Sequence, residues 1–374
     1  MHNMAATEIP KVAVLDDYLN TSKPHFAHIP ETKCSITTFT DSLPPYNHPN
    51  TSPAEKEALV DRLKPFTVLC TMRERTPFPK ALFEQLPNLK LLIATGTQFN
   101  TFDMSVAKEH GIIVAATSHK SRSCLPKETT SKRKAAGASH TVQHTWALIL
   151  ALAGNVSHDD HAMKQGGWQT GMATGLAGKT LGILGLGRLG GATAKVGFQS
   201  WGMKIICWSS TLNQEKADQM VAELGLPVRD EDGDNTFQYV SKDELFKNAD
   251  VVSVHYQLSD RSRGIVGRKE LEQMKKSAYL VNTSRGALVD EDALIEALEK
   301  EAIKGAAVDV YGIEPVPKDS PFRSSKWGTN GHAHLLTTPH MGYVEEEIMN
   351  KWYAEQAEIL ERWLDSKEVM SRLF

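Results

Sequence analysis

The 374-residue chain carries 42 Lys and Arg against 45 Asp and Glu, a formal net charge of −3, and a balance that close to neutral gives no bulk attraction to nucleic acid or anionic lipid. Its length provides for two domains, each with a core of its own. The longest apolar run, residues 147–153, reaches only about a third of the roughly 20 residues a membrane-spanning helix needs. The N-terminus shows no charged-then-apolar leader. Cys34, Cys70, Cys124 and Cys207 lie far apart, without CxxC or Cys/His metal spacing. Free thiols in a reducing cytoplasm, and no metal site, are the expectation.

In chain order, KVAVLDD from Lys11 reads as a buried parallel strand. A Pro-rich loop follows, then a helix near residues 54–63 and strands at 67–70, 89–94 and 112–115. Between the first two of these strands, TMRERTPFPKALFEQLP reads as a loop and a short helix. This α/β alternation without phosphate glycines predicts a first domain of flavodoxin-like character. Residues 117–139 differ in kind, being polar, without period, and rich in Lys120, Arg122, Lys127, Lys132, Arg133 and Lys134. A basic run without interleaved aromatics reads as a solvated loop rather than an anion site. An apolar helix at 140–153 follows.

The stretch KTLGILGLGRLGGATAKVGFQSWGMKIIC, beginning at Lys179, organises the rest. An apolar run feeds into Gly185, Gly187 and Gly190, then a small-residue helix, then a second apolar run at 204–208. Strand, glycine turn and helix in that order place free backbone N–H groups and the positive helix end where a pyrophosphate can sit. A plain structural turn is the competing reading. After the second strand stand Trp208, Ser209, Ser210 and Thr211, with no carboxylate for the ribose hydroxyls of NAD and no Arg for the phosphate of NADP. The preference between the two dinucleotides stays open at this point.

Further strands are predicted at 249–255, 278–281, 306–310 and 334–337, with a helix at 291–300. Repeated βα units after a phosphate turn make a doubly wound parallel sheet, whose ligands bind beyond the carboxyl ends of the strands. The polar residues at those ends are His255, Thr283, Ser284, Arg285, Asp309 and His340. Arg285 presents a planar fork that matches a carboxylate. His340, just past the last predicted strand, offers an imidazole able to give or take a proton, and Glu314, in a Pro-flanked loop, is a carboxylate able to orient an imidazole. Taken singly, each is more often a structural or solvated group, and it is their joint placement at strand ends after a dinucleotide turn that carries weight. Arg, His and Glu beside a nicotinamide make a hydride-transfer site for a 2-oxo or 2-hydroxy acid, the Arg binding the carboxylate and the His moving the hydroxyl proton.

The ordered motifs GLGRLG, VNTSRGALVDEDAL, AAVDVYGIEP and TTPHMGY resemble the D-isomer-specific 2-hydroxyacid dehydrogenase family over most of the chain. The resemblance implies two Rossmann-like, doubly wound α/β domains with a cleft between them. Residues 1–139 with 341–374 would bind substrate, and residues 140–340 the dinucleotide. It implies catalytic roles for Arg285, Glu314 and His340. For the cofactor, NAD or NADP, it implies contacts from Gly185, Gly187, Arg188, Leu189, Gly190, Ser209, Ser210, His255, Tyr256, Thr283, Ser284, Asp309 and Gly342. Arg73, Thr97 and Gln98 would join Arg285 in holding the substrate. A cytoplasmic homodimer acting on a small 2-oxo or 2-hydroxy acid, with neither nucleic acid nor membrane as partner, completes the expectation. A dinucleotide-sensing corepressor or scaffold of the same fold, with little turnover, is the rival.

Overall fold

The short apolar runs settle into parallel strands because each is too brief for a helix and is flanked by loop-forming residues. The computed structural model describes residues 9–96, 101–117, 139–328 and 333–373. The chain divides into two units, Met1–Thr130 with Ile313–Pro315 and Glu346–Phe374, and Ser131–Gly312 with Val316–Glu345.

Among the described residues, five strands form the sheet of the first unit: β1 Lys11–Val14, β2 Ser35–Thr38, β3 Val68–Cys70, β4 Leu91–Ala94 and β5 Ile113–Ala116. All pair in parallel, in the order β2-β1-β3-β4-β5, which is a flavodoxin-like order and agrees with the flavodoxin-like character expected from the sequence. The Pro53–Leu63 helix starts at a capping box, Ser52 and Glu55 each accepting from the other's backbone N–H. The Glu346–Leu364 helix buries Trp352, Tyr353, Ile359 and Leu360 in this unit. Its buried Gln356 donates through Nε2 to the carbonyls of Thr71 (3.0 Å) and Ile93 (3.2 Å), linking the helix to β3 and β4.

Seven described strands form the second sheet: β6 Thr180–Leu184, β7 Lys204–Trp208, β8 Phe237–Tyr239, β9 Val251–Val254, β10 Tyr279–Asn282, β11 Gly305–Val308 and β12 His334–Thr337. They too are parallel, in the order β12-β11-β10-β9-β6-β7-β8. Sequence order reverses at β6, which lies between β7 and β9, and such a switch point opens a crevice beyond the strand ends. Alternation along the strands fills two cores. Val252, Leu280 and Ala306 enter one, while Val251, Val281 and Ala307 enter the other with Trp146 and Ile149 of the His140–Ala153 helix. Each fully buried Leu, Ile or Val contributes about 1.5–3 kcal/mol of hydrophobic stabilisation.

Two strands have no counterpart in the sequence reading. SITT in β2 and FQY in β8 are short edge strands with at least half their side chains outside the core, so they lack the apolar run that marks a central strand. Cys34, Cys70 and Cys207 are buried free thiols, and burial pushes Cys207 up to about 12. Thr97, Gln98, Cys124 and the basic run at 118–138 lie outside the described residues. Among the described residues, no helix is long and apolar enough to cross a membrane and no cluster of metal-ligating side chains occurs.

Candidate active site

The glycine turn joins β6 to the Arg188–Trp201 helix, which starts at Gly187. Gly185 has φ +102°, and a Cβ there would lie 2.8 Å from the His255 carbonyl, so glycine is required by both backbone and space. A Cβ on Gly190 would stand 2.2 Å from the Gly185 oxygen, which fixes how closely helix and strand pack. Over Gly187 a Cβ would meet nothing within 4 Å, no side chain caps the helix, and its first turn holds no carboxylate. An uncapped, positively polarised helix end with open space above it fits the pyrophosphate of a dinucleotide. Arg188 is exposed and Leu189 half-buried at the start of this helix.

Beyond β7, the Ser210 N–H donates to the Tyr256 hydroxyl (3.2 Å), which in turn donates to Ser210 Oγ (2.7 Å). The Tyr256 ring stacks on Trp208 at 5.9 Å, and Ser209 follows Trp208 at the same strand end. These hydroxyls occupy the position where a ribose-binding carboxylate would be found in an NAD site. His255 follows β9, and burial holds its imidazole neutral, down to about 4, with Nε2 at 2.8 Å from Ser253 Oγ. Ser284 Oγ donates to the Tyr256 carbonyl at 2.7 Å, and the Thr283 hydroxyl meets that of Thr145 at 2.7 Å. The β9 and β10 ends are thus tied to each other and to the His140–Ala153 helix.

Arg285 comes three residues after β10, in extended backbone. Its Nη1 donates to the Ser284 carbonyl (2.7 Å), and its own carbonyl accepts from Asn282 Nδ2 (3.0 Å). A Cβ on the following Gly286 would fall 2.0 Å from the Tyr311 carbonyl carbon. Only glycine lets these two backbones pass, and that passage sets the direction in which Arg285 leaves the sheet. His340 lies three residues past β12 in the left-handed region, φ 56° and ψ 53°, with its ring edge-on to Tyr343 at 5.3 Å. Asp309 directly follows β11, the strand between β10 and β12, and is wholly buried. It accepts from Thr338 Oγ1, the Met341 and Gly342 N–H groups and His144 Nε2. Burial works to raise its pKa, but these hydrogen bonds outweigh that and hold the carboxyl below its ordinary value.

Arg73 and Glu314 belong to the first unit. Arg73, just past β3, has a positive φ of 53°. Its N–H donates to Thr95 Oγ1 (2.8 Å), and its guanidinium lies 5.8 Å from the Trp352 ring centroid. A side chain that large in a left-handed conformation is held there by its surroundings. Glu314 Oε2 accepts from Arg75 Nη1 at 2.5 Å, with both side chains largely buried. The sequence reading does not single out Arg75, which pairs with Glu314, or His144 and Thr338, which hold Asp309. The available signals are the second Arg of MRER and the His140/His144 pair, one turn apart at the start of an otherwise largely apolar helix.

A Gly-rich βα turn at a topological switch point, with a guanidinium and an imidazole at strand ends of the same sheet, defines a nicotinamide-dinucleotide oxidoreductase. The model of the D-isomer specific 2-hydroxyacid dehydrogenase NAD binding domain matches residues 146–342. The chain is 33% identical over 295 residues to a glyoxylate reductase of Aeropyrum pernix, covering 76% of each protein. It is 27% identical over 327 residues to a hydroxypyruvate reductase of Blautia hydrogenotrophica, covering 85% of this chain and 88% of the relative. A crystal structure of a phosphoglycerate oxidoreductase from Vibrio cholerae O395 superposes with a TM-score of 0.74 at 31% identity, covering 96% of this chain and all of that one. The chain belongs to the D-isomer specific 2-hydroxyacid dehydrogenase family. It is an oxidoreductase that moves hydride between a nicotinamide dinucleotide, NAD or NADP, and a small 2-oxo or 2-hydroxy acid.

Proposed function

We propose that the protein works mainly as a reductase of a small 2-oxo acid, with Arg285, Glu314 and His340 as its working groups. The observation that carries this reading is the placement of Arg285 and His340 past β10 and β12, two strands of the sheet whose β6 opens into the glycine turn. The dinucleotide, when bound, supplies the hydride. Arg285 pairs with the substrate carboxylate and polarises the adjacent carbonyl. His340 delivers a proton to the carbonyl oxygen as it becomes a hydroxyl, and Glu314 is the carboxylate assigned to orient that imidazole. The small relatives named as glyoxylate and hydroxypyruvate reductases support the substrate class.

The test is oxidation of NADH and of NADPH in the presence of glyoxylate, hydroxypyruvate or a bulkier 2-oxo acid. Turnover is expected with at least one of the two small acids and is slower with the bulky one. Tight dinucleotide binding without turnover on any of the three would instead identify a sensing protein.

We further propose a cytoplasmic homodimer that binds neither nucleic acid nor membrane. Along residues 156–172 of the second unit, Val156, Met163, Trp168 and Met172 are exposed, the last at 92%, and large apolar side chains left exposed over one stretch support an interface there. Sedimentation velocity is expected to give twice the chain mass, and Trp168→Asp with Met172→Asp to shift it toward one. A monomer at micromolar concentration would overturn the dimer.

A further inference from the structure

Four hydrogen bonds converge on one buried carboxylate beside the turn that carries His340. Asp309 Oδ1 accepts from Thr338 Oγ1 (2.6 Å), the Met341 N–H (2.7 Å) and His144 Nε2 (3.1 Å), while Oδ2 accepts from the Gly342 N–H (2.9 Å). His144 Nε2 also lies 3.1 Å from Thr338 Oγ1. Thr338 spends its single proton on Asp309, and an ionised carboxylate only accepts, so both neighbours assign the proton of His144 to Nε2. One turn earlier on the same helix face, Thr141 Oγ1 donates to the Gly342 carbonyl at 2.7 Å. The first two turns of the His140–Ala153 helix therefore hold the turn after β12 from both its carboxylate anchor and its backbone. His340 sits at the centre of that turn in a left-handed conformation, which a non-glycine residue keeps only when its surroundings fix it.

We propose that His144 is a positioning residue, which through Asp309 and Thr338 fixes the 338–342 turn and so the direction in which His340 presents its imidazole. The proposal rests on the proton-carrying role given to His340 above, and its test separates the two. In His144→Ala, kcat for a 2-oxo acid is expected to fall about ten- to hundred-fold, as small misplacements of a reacting group do. KM and the Kd for NADH should stay within about threefold, since no binding group is removed. His144→Gln, which retains a donor, should recover part of the loss, and Thr338→Ser should be milder than Thr338→Val. In a His340→Asn background, His144→Ala should change the residual rate less than about twofold, because the two residues act as one unit.

Amide hydrogen exchange supplies the readout independent of turnover. Protection of Met341 and Gly342 is expected to drop in His144→Ala while the remaining strands keep theirs. Full kcat in His144→Ala, an equal loss in both backgrounds, or unchanged protection of those two amides would overturn the proposal. If His340→Asn retains wild-type turnover, the role of His340 falls, and the exchange result alone still decides whether His144 holds the turn. Should His144→Ala fail to fold, His144→Gln and Thr338→Val give the same comparison.

Discussion

Replacing His340 with asparagine is expected to lower kcat for 2-oxo acid reduction by about two to four orders of magnitude, the range for a positioned general acid. Asparagine is the informative choice because position 340 has φ 56° and ψ 53°, and Asn tolerates that region better than alanine. The variant therefore removes the proton carrier with little added backbone strain. The Kd for NADH, measured by fluorescence titration, should move by no more than about threefold, because the loss lies in a group that acts on the reacting oxygen. A kcat within a few-fold of wild type would remove His340 from the chemistry.

The second large effect falls on Arg285. Arg285→Met is expected to raise KM and lower kcat together, with about a hundred- to thousand-fold loss in kcat/KM, since a charge-assisted fork to the carboxylate is lost in both ground and transition states. Arg285→Lys should fall between, keeping the charge and losing the planar geometry. A control aldehyde without the carboxylate isolates the contact. Reduced slowly by the wild type, it should be affected far less by either substitution. Equal losses on acid and aldehyde would mean that Arg285 serves the fold, through its hydrogen bond to the Ser284 carbonyl and its neighbours in the β10 turn, rather than the substrate.

The parts of this site that the sequence exposed are those governed by local rules. The glycine turn after β6 is legible because its three positions answer to backbone conformation and close approach within one strand–helix unit. Arg285 and His340 are legible because each follows an apolar run within three residues, and strand ends are where ligands bind in such sheets. The supporting groups obey no local rule. Arg75 meets Glu314 across 239 positions of sequence and His144 meets Asp309 across 165, and such pairs exist only once the distant segments have come together. Asp309 is the instructive case. Its place at the end of β11 was readable, but its full burial, and its use of both oxygens to hold the turn after β12, depend on the register of two neighbouring strands. The edge strands β2 and β8 were missed for a related reason, since pairing on one side only leaves polar residues acceptable at most positions.

The central claim is that hydride enters at the carbonyl carbon of a 2-oxo acid held by Arg285 while His340 supplies the proton, giving the D-hydroxy acid. Reduction of hydroxypyruvate with nicotinamide dinucleotide deuterated at C4, followed by chiral and mass analysis of the product, tests it directly. The account predicts D-glycerate with one deuterium on C2 and none elsewhere. L-glycerate, or product with only solvent hydrogen at C2, would contradict it.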